Sequence, residues 1–386
     1  MTPLRRRSTF GALAAACAAV LLLSACSGSS PEPGQVTTAS GSGAGVIDAD
    51  RCAENRDAGT VTYLTGYQYQ ASTTILEAVA AESMGFFDDV CLDVQLQPGS
   101  GDTAQGAQLT AAGRAQLSGV GSAAEAMLAV AGGADVVGVA TFGHVPIATL
   151  MTEPSVTDLT QLDGTTLGHK GSLPAPLRAM LVTAGVDLGS ITQVKVGYDP
   201  TVLVRGQVQS LTGYKSNEPL TLAAMGDQVR QWNPEDYGVT GSFGQLIANP
   251  AFAEEHPTAV QDFVRALLHA HEVCQTQLQQ CVQAAAEESG SGSGFDVTHN
   301  EQVFTTESKL VADSTPAGQP IGFVDPAALT AEGQVLVGSG ELESVPDPAS
   351  VFDDSYLRAV VGSDGAVVWP SAGSTTTTAS SSASSS

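Results

Sequence analysis

The chain has 386 residues and carries 15 lysines and arginines against 40 aspartates and glutamates, a formal net charge of −25. So acidic a chain repels the phosphate backbone of nucleic acids, and we expect no nucleic-acid partner. Its hydrophobic content of 42% is ordinary for a globular protein and excludes disorder along the whole length.

The amino terminus has the features of a lipoprotein signal peptide. Arg5 to Arg7 form a basic region, and residues 10–23 form an apolar run of 14 residues, whereas a spanning helix needs about 20. Leu-Ser-Ala-Cys, which ends at Cys26, resembles the lipobox of bacterial lipoproteins. The resemblance implies cleavage after residue 25, lipidation of Cys26 and a protein anchored on the extracytoplasmic face of the cell membrane.

Low-complexity segments flank the rest of the chain. Residues 26–58 are rich in Ser, Gly and Pro directly after Cys26 and predict a flexible tether, while residues 371–386 form a Ser- and Thr-rich tail that we expect to be disordered. The central residues 59–370 are long enough for two domains of roughly 150 residues each.

Four cysteines follow the lipobox, as expected in an oxidising compartment: Cys52, Cys91, Cys274 and Cys281. None forms a Cys-x-x-Cys pair, so neither a zinc site nor a redox motif is indicated, and three disulfide pairings are open. We favour Cys52 with Cys91, because each precedes a predicted strand. If those two strands are parallel neighbours, both cysteines lie at the same edge of the sheet.

The second favoured pair, Cys274 with Cys281, lies in a predicted helix. Seven residues span about 10 Å along a helix, which is too far for a disulfide. This pairing therefore requires the helix to break between residues 275 and 280.

Strands and helices alternate along the central residues. Strands are predicted at residues 61–67, 92–97, 115–120 and 135–141 and near residues 166, 193, 209 and 239. Helices are predicted to start near residue 73 and to cover residues 103–113, 123–130 and 257–288. This alternation predicts an α/β fold with mainly parallel sheets and helices on both faces.

In such sheets, ligands bind beyond the carboxyl ends of the strands, where helix amino termini converge. The loops expected there are rich in Gly, Ser and aromatic residues, although turn formation alone explains any single loop of this composition. The candidate ligand-binding residues are Tyr67, Gln68, Tyr69, Ser100, Ser122, Phe142, His144, Lys170, Ser172, Tyr198, Tyr214, Asn217 and Glu218.

Charge in these loops bears on the ligand. Lys170 and Lys215 are their only lysines, and aromatic side chains outnumber them. Glu218 could accept paired hydrogen bonds from an amino-substituted heterocycle, with Asn217 as donor and acceptor. The alternative is that Asn-Glu-Pro caps a helix at residues 220–232.

Several segments resemble one family. Residues 82–94, followed by Pro-Gly-Ser-Gly, and residues 162–168 are similar to extracytoplasmic binding proteins for nitrate, alkanesulfonates, taurine and thiamine's pyrimidine precursors. Residues 213–219, 321–325 and 352–357 look most like the thiamine-pyrimidine branch.

The resemblance covers residues 61–357 and implies a type-2 periplasmic-binding fold, with two lobes that close on a solute around a cleft. The first lobe would hold residues 59–146 and 249–370, and the second residues 147–248. The implied partners are the small-molecule solute and the permease and ATPase of an ABC importer, with the binding protein a monomer. We expect a thiamine-pyrimidine-like heterocycle as the solute, with an alkanesulfonate, taurine or nitrate as the alternative.

A related enzyme, thiamine pyrimidine synthase, gives a reading of another class. It uses a Lys for pyridoxal phosphate and a His, both on a segment that matches residues 117–126 here, which contain neither. The first lysine of the chain is Lys170, and His269 and His271 lie two residues apart, so they would face different sides of a helix. We therefore expect no enzyme activity, catalytic residue, cofactor or metal.

The lipobox leads to a first prediction. Cys26→Ser removes the thiol that would carry the lipid, so the protein should move from the membrane fraction to the medium with its fold intact. Fractionation with immunoblotting and circular dichroism measures both properties. Unchanged retention in the membrane fraction would contradict the lipobox.

Overall fold

Two five-stranded sheets with flanking helices organise residues 47–370, the part of the chain that the computed structural model describes. The predicted signal peptide, Cys26 and the Ser/Thr-rich tail lie outside these residues. Within the described range, no helix combines the length and apolarity needed to cross a membrane.

The strands are β1 (Thr60–Leu64), β2 (Asp93–Gln97), β3 (Leu117–Val120), β4 (Val137–Gly143), β5 (Ala148–Thr152), β6 (Thr166–His169), β7 (Thr192–Lys195), β8 (Ser210–Tyr214), β9 (Arg230–Trp232) and β10 (Phe243–Ala248). The helices are α1 (Ala49–Asp57), α2 (Leu76–Ser83), α3 (Phe86–Asp89), α4 (Thr103–Ala111), α5 (Ala123–Ala131), α6 (Ala175–Thr183), α7 (Thr201–Val204), α8 (Glu218–Ala224), α9 (Pro250–Glu255), α10 (Pro257–Thr276), α11 (Leu278–Ser289), α12 (Val297–Ser314), α13 (Pro326–Ser339), α14 (Pro348–Val351) and α15 (Ser355–Arg358).

The first sheet has the order β2-β1-β3-β10-β4, in which β10 is antiparallel to both neighbours. Every residue of β3 and β10 is buried, as expected for strands covered on both faces. The predicted boundary of the second lobe at residue 248 is therefore wrong, because β10 pairs with β3 and β4 and has already returned to the first sheet.

The second sheet has the order β7-β6-β8-β5-β9, with β5 antiparallel to β8 and β9. The predicted helix at residues 220–232 is too long. It ends at Ala224, where Gly226 adopts a positive φ of 89°, and the last three predicted helical residues form β9. The strand predicted near residue 239 is also wrong, since Val239 packs in the core of this lobe outside any strand.

The chain crosses between the sheets at residues 144–147 and again between β9 and β10. Lys215 binds both crossings: its Nζ donates to the Pro146 carbonyl at 2.6 Å and pairs with Glu235 Oε1 at 2.5 Å. A Cβ on Gly241 would lie 2.7 Å from Pro146 Cγ, so a glycine is needed where the crossings touch. Lys215 is thus a structural clamp of the crossing segments.

Two disulfides are present, with the pairing that the sequence favours. Cys52–Cys91 has a Cα–Cα distance of 5.3 Å and Cys274–Cys281 one of 5.8 Å. The single helix predicted at residues 257–288 is broken between α10 and α11 at Gln277, which brings the second pair within bonding distance.

The predicted tether is wrong in its last part, because α1 packs against α10. The buried Asp262 carboxylate holds this contact. It accepts from Arg51 Nε at 2.7 Å and from Asn55 Nδ2 at 2.6 Å, and it pairs with Arg265 Nη1 at 2.7 Å.

Asp262→Ala should therefore lower the free energy of unfolding by about 3 kcal/mol, because two guanidinium groups lose a buried counter-ion. Urea unfolding followed by circular dichroism measures the loss. Asp313→Ala, which breaks the exposed Lys309–Asp313 pair, is the matched control and should cost less than about 1 kcal/mol. Equal losses in both variants would contradict the anchoring role of Asp262.

Candidate functional site

A cleft of about 580 Å³ lies where the two sheets face each other. Its walls come from segments that follow β1, β3, β6 and β8, from the start of β10 and from one face of α12. Carboxyl ends of parallel strands meet at one edge of an α/β sheet, so both lobes contribute loops to the same space.

Seven of the thirteen predicted ligand residues line this cleft. They are Tyr67 from the first lobe and Lys170, Ser172, Tyr198, Tyr214, Asn217 and Glu218 from the second. Their contact with a ligand stays a prediction, but the structure brings them together.

Three predicted ring residues lie elsewhere. Phe142 is fully buried in the core of the first lobe, where β4 is covered on both faces. Tyr69 packs against that core, and its carbonyl accepts the Ser289 hydroxyl. His144 lies in the first crossing segment, with its ring 6.3 Å from that of Phe323, and burial lowers its pKa.

Three predicted polar residues also lie outside the cleft lining. Gln68 is exposed, and Ser100 lines a smaller neighbouring depression of about 170 Å³. Ser122 is the N-cap of α5, and its hydroxyl accepts from the Glu125 amide. For Ser100 and Ser122, local turn and cap bonds account for the residue type.

Lys170 and Glu218 form an ion pair in the wall of the cleft. Glu218 is only 2% exposed, and its Oε2 accepts the Tyr214 amide at 2.7 Å. The Lys170 ammonium lies 5.6 Å from the centre of the Tyr198 ring. Burial lowers the pKa of Lys170 to about 8, and contact with the Glu218 carboxylate acts in the opposite direction.

The local sequence explains the position of Glu218. Glu218 is the first residue of α8 and is followed by Pro219. Its carboxylate accepts an amide at the end of β8. A Cβ at Gly213 would lie 2.8 Å from Glu218 Oε2, so any larger residue there would displace the carboxylate. Asn217 occupies the N-cap position but makes no side-chain cap bond, and the Glu218 carboxylate accepts an amide of β8 and none of α8, so the predicted capping role is wrong.

Sequence reasoning missed the contribution of α12. Glu307 on this helix accepts from the amide and hydroxyl of Thr73 in the first lobe and from the Ser216 hydroxyl in the second, at 2.6 to 2.8 Å. Burial raises the pKa of Glu307. About two turns earlier on the same helix, His299 Nε2 lies 2.8 Å from Asn217 Oδ1. The available signal was a carboxylate among the apolar residues of an amphipathic helix.

The loop at residues 71–75 forms part of the cleft wall. Thr74 adopts a positive φ of 72°. Two hydrogen bonds hold it there: the Tyr63 hydroxyl donates to the Thr74 carbonyl, and the Thr74 amide donates to the Glu77 carboxylate. His271 Nδ1 lies 2.8 Å from the other oxygen of Glu77. A buried polar chain therefore fixes the shape of this loop.

Residues 47–370 contain no group of three or more His, Cys, Asp or Glu side chains placed to hold a metal ion. The cleft lining combines hydroxyl groups, aromatic rings and one ion pair. Such a lining can bind a small polar solute through hydrogen bonds and ring contacts.

Comparisons with known proteins identify a family and a shared fold. A model of the family described as NMT1/THI5 like matches residues 72–279, more than half of the chain. No curated protein matches.

Solved structures share the fold. The periplasmic aliphatic sulphonate binding protein SsuA from Escherichia coli is 17% identical, with a TM-score of 0.57 over 75% of this chain and 91% of that one. The alkanesulfonate-binding protein SsuA from Xanthomonas axonopodis pv. citri, bound to MOPS, is 16% identical, with a TM-score of 0.54 over 76% and 98%. The desulfurization enzyme DSZB is 13% identical, with a TM-score of 0.53 over 78% and 98%. The predicted fold class is confirmed.

The Glu307–Ser216 bond predicts how the lobes respond to its loss. Ser216→Ala removes a buried hydroxyl that joins α12 to the second lobe, so the unliganded protein should open and lose about 1 kcal/mol of stability. A larger radius of gyration in small-angle scattering measures the opening.

Thr305→Ala is the matched control, because the Thr305 hydroxyl bonds only within α12, to the Glu301 carbonyl. It should leave the scattering profile unchanged. Identical profiles for Ser216→Ala and the wild type would show that this bond does not set the lobe opening.

Proposed function

The chain belongs to the NMT1/THI5-like family, and we propose that it is an extracytoplasmic solute-binding lipoprotein of an ABC importer. The observation that carries the proposal is a cleft lined from both lobes, with Tyr67 and Thr73 on one side and Lys170, Ser172 and Tyr214 on the other. Contacts split in this way are complete only when the lobes are closed, so solute binding favours closure. The closed, lipid-anchored protein would then deliver the solute to a permease and its ATPase.

For the ligand class, the alternative of a solute with a sulfonate group, an alkanesulfonate or taurine, now has more support than the heterocycle. Two structures with this fold are described as sulfonate-binding proteins, one of them bound to MOPS. In this chain the Lys170 ammonium and the Ser172 hydroxyl line the same cleft and can both donate to a sulfonate.

The thiamine-pyrimidine-like heterocycle loses its main argument. That expectation needed a free carboxylate at Glu218, but Lys170 and the Tyr214 amide already occupy it. Tyr67, Tyr198 and Tyr214 still offer flat surfaces to a ring, which keeps an aromatic solute as the second candidate.

Binding without turnover is part of the proposal. The fold alone does not decide this point, because DSZB is an enzyme with the same fold. The support comes from the segment at residues 117–126, which has neither the Lys nor the His of the related synthase. Its Gly119, Val120 and Gly121 form part of the cleft wall and offer no nucleophile.

Native mass spectrometry of protein purified from its own cells should reveal one retained small molecule per chain. Protein stripped of this molecule should contract in small-angle scattering when the molecule is added back, and the molecule should be recovered chemically unchanged. Tyr214→Ala should weaken binding by about 1 kcal/mol, whereas Tyr214→Phe keeps the ring and should bind nearly as well. Recovery of a converted molecule would indicate an enzyme, and scattering that does not change would contradict closure.

A further inference from the structure

We propose that Glu218 determines the specificity of the cleft: as the built-in counter-ion of Lys170, it disfavours simple monoanions and selects a zwitterion, a solute with one anionic and one cationic group. This inference rests on the proposed function of the cleft as a solute site. It adds the charge pattern of the solute and the residue that sets it.

The first support is that the Glu218 carboxylate is fixed in place beside Lys170. Glu218 is almost fully buried, contacts Lys170 through Oε1 and accepts the Tyr214 amide through Oε2. Because the side chain is buried and the Tyr214 amide holds Oε2, the carboxylate stays beside Lys170 when an anion approaches. A monoanion therefore meets a lysine that is already neutralised, together with a negative charge beside it.

The second support is the remaining charge around the cleft. Among the lining residues within 47–370, Lys170 is the only lysine or arginine, while Glu218 and Glu307 are both carboxylic acids. Glu125 lies directly behind the wall, where its Oε2 accepts the Gly121 amide at 2.9 Å. No surplus of positive charge in this lining compensates a bound monoanion.

The third support is that the pair offers two complementary poles. An anionic group can bind the Lys170 ammonium and the nearby Ser172 hydroxyl, while a cationic group takes the place of that ammonium beside Glu218. The Tyr198 ring, 72% exposed and already close to Lys170 Nζ, offers a π face to the cationic group. A zwitterion thus keeps both buried charges paired, which neither a monoanion nor a monocation can do.

Two matched pairs of probes test this charge pattern: ethanesulfonate against taurine, and propanesulfonate against 3-aminopropanesulfonate. Within each pair, the two compounds differ in charge by one ammonium group. Titration calorimetry at pH 7 and low salt should find that the wild type binds the better aminosulfonate at least tenfold more tightly than its partner, which corresponds to about 1.4 kcal/mol.

Glu218→Gln removes the negative charge and keeps an oxygen that can accept the Tyr214 amide. In this variant the plain sulfonate should gain at least tenfold in affinity and the aminosulfonate should lose at least tenfold. Lys170→Met should weaken the affinity for both compounds at least tenfold. Glu255→Gln, which removes an exposed carboxylate with the same change in net charge, should leave both affinities within twofold of the wild type.

A wild type that binds the plain sulfonate as well as the aminosulfonate overturns the proposal, and this result does not depend on any variant folding. A selectivity ratio that Glu218→Gln leaves unchanged also overturns it, as does failure of every protein to bind any probe. If the protein nevertheless retains another solute in mass spectrometry, the solute-binding function survives and only the charge pattern fails.

Discussion

The rest of the structure depends on one constraint: the segment that forms the second sheet is inserted in the chain between β4 and β10 of the first sheet. The chain leaves the first sheet at the carboxyl end of β4 and returns at the amino end of β10, which pairs antiparallel with β4. Both crossing segments therefore start from the same edge of the first sheet, and Lys215 ties them together. The carboxyl ends of β1 and β3 lie at this edge as well, so the cleft forms beside the crossings.

The cleft is shaped by buried polar groups that replace secondary structure. The loop at residues 71–75 cannot pair its amides within a sheet or helix, yet a buried amide needs a partner. Asn300, Glu307 and Glu77 accept the amides of Ala71, Thr73 and Thr74, respectively. Because Glu307 also accepts the Ser216 hydroxyl, the helix that orders this loop also contacts the second lobe. α12 thus connects this loop to the second lobe.

Local patterns in the sequence predicted most strands, the α/β class and seven residues of the cleft, because period and turn chemistry act over a few residues, whereas the two lobes were implied by the family resemblance. They failed where a partner distant in the sequence determines the conformation or the contacts of a residue. An apolar strand such as β10 looks the same whichever sheet it joins, and α1 looks like tether sequence until Asp262 supplies its anchor. Asn-Glu-Pro suggests an available carboxylate at Glu218, but two helices and two strands separate Glu218 from its partner Lys170 in the sequence.

The net charge of the chain is a poor guide to what the cleft presents. The three carboxylates in or behind its wall are all occupied by the protein itself: Glu218 by Lys170 and the Tyr214 amide, Glu307 by Thr73 and Ser216, and Glu125 by Thr103 and the Gly121 amide. Acceptors that are already satisfied contribute little new attraction to a neutral donor on a solute. A solute that carries full charges can exchange one internal partner for another without leaving a buried charge alone. Selectivity in this cleft therefore depends on how well the solute replaces the Lys170–Glu218 pair, and the acidity of the surface has little part in it.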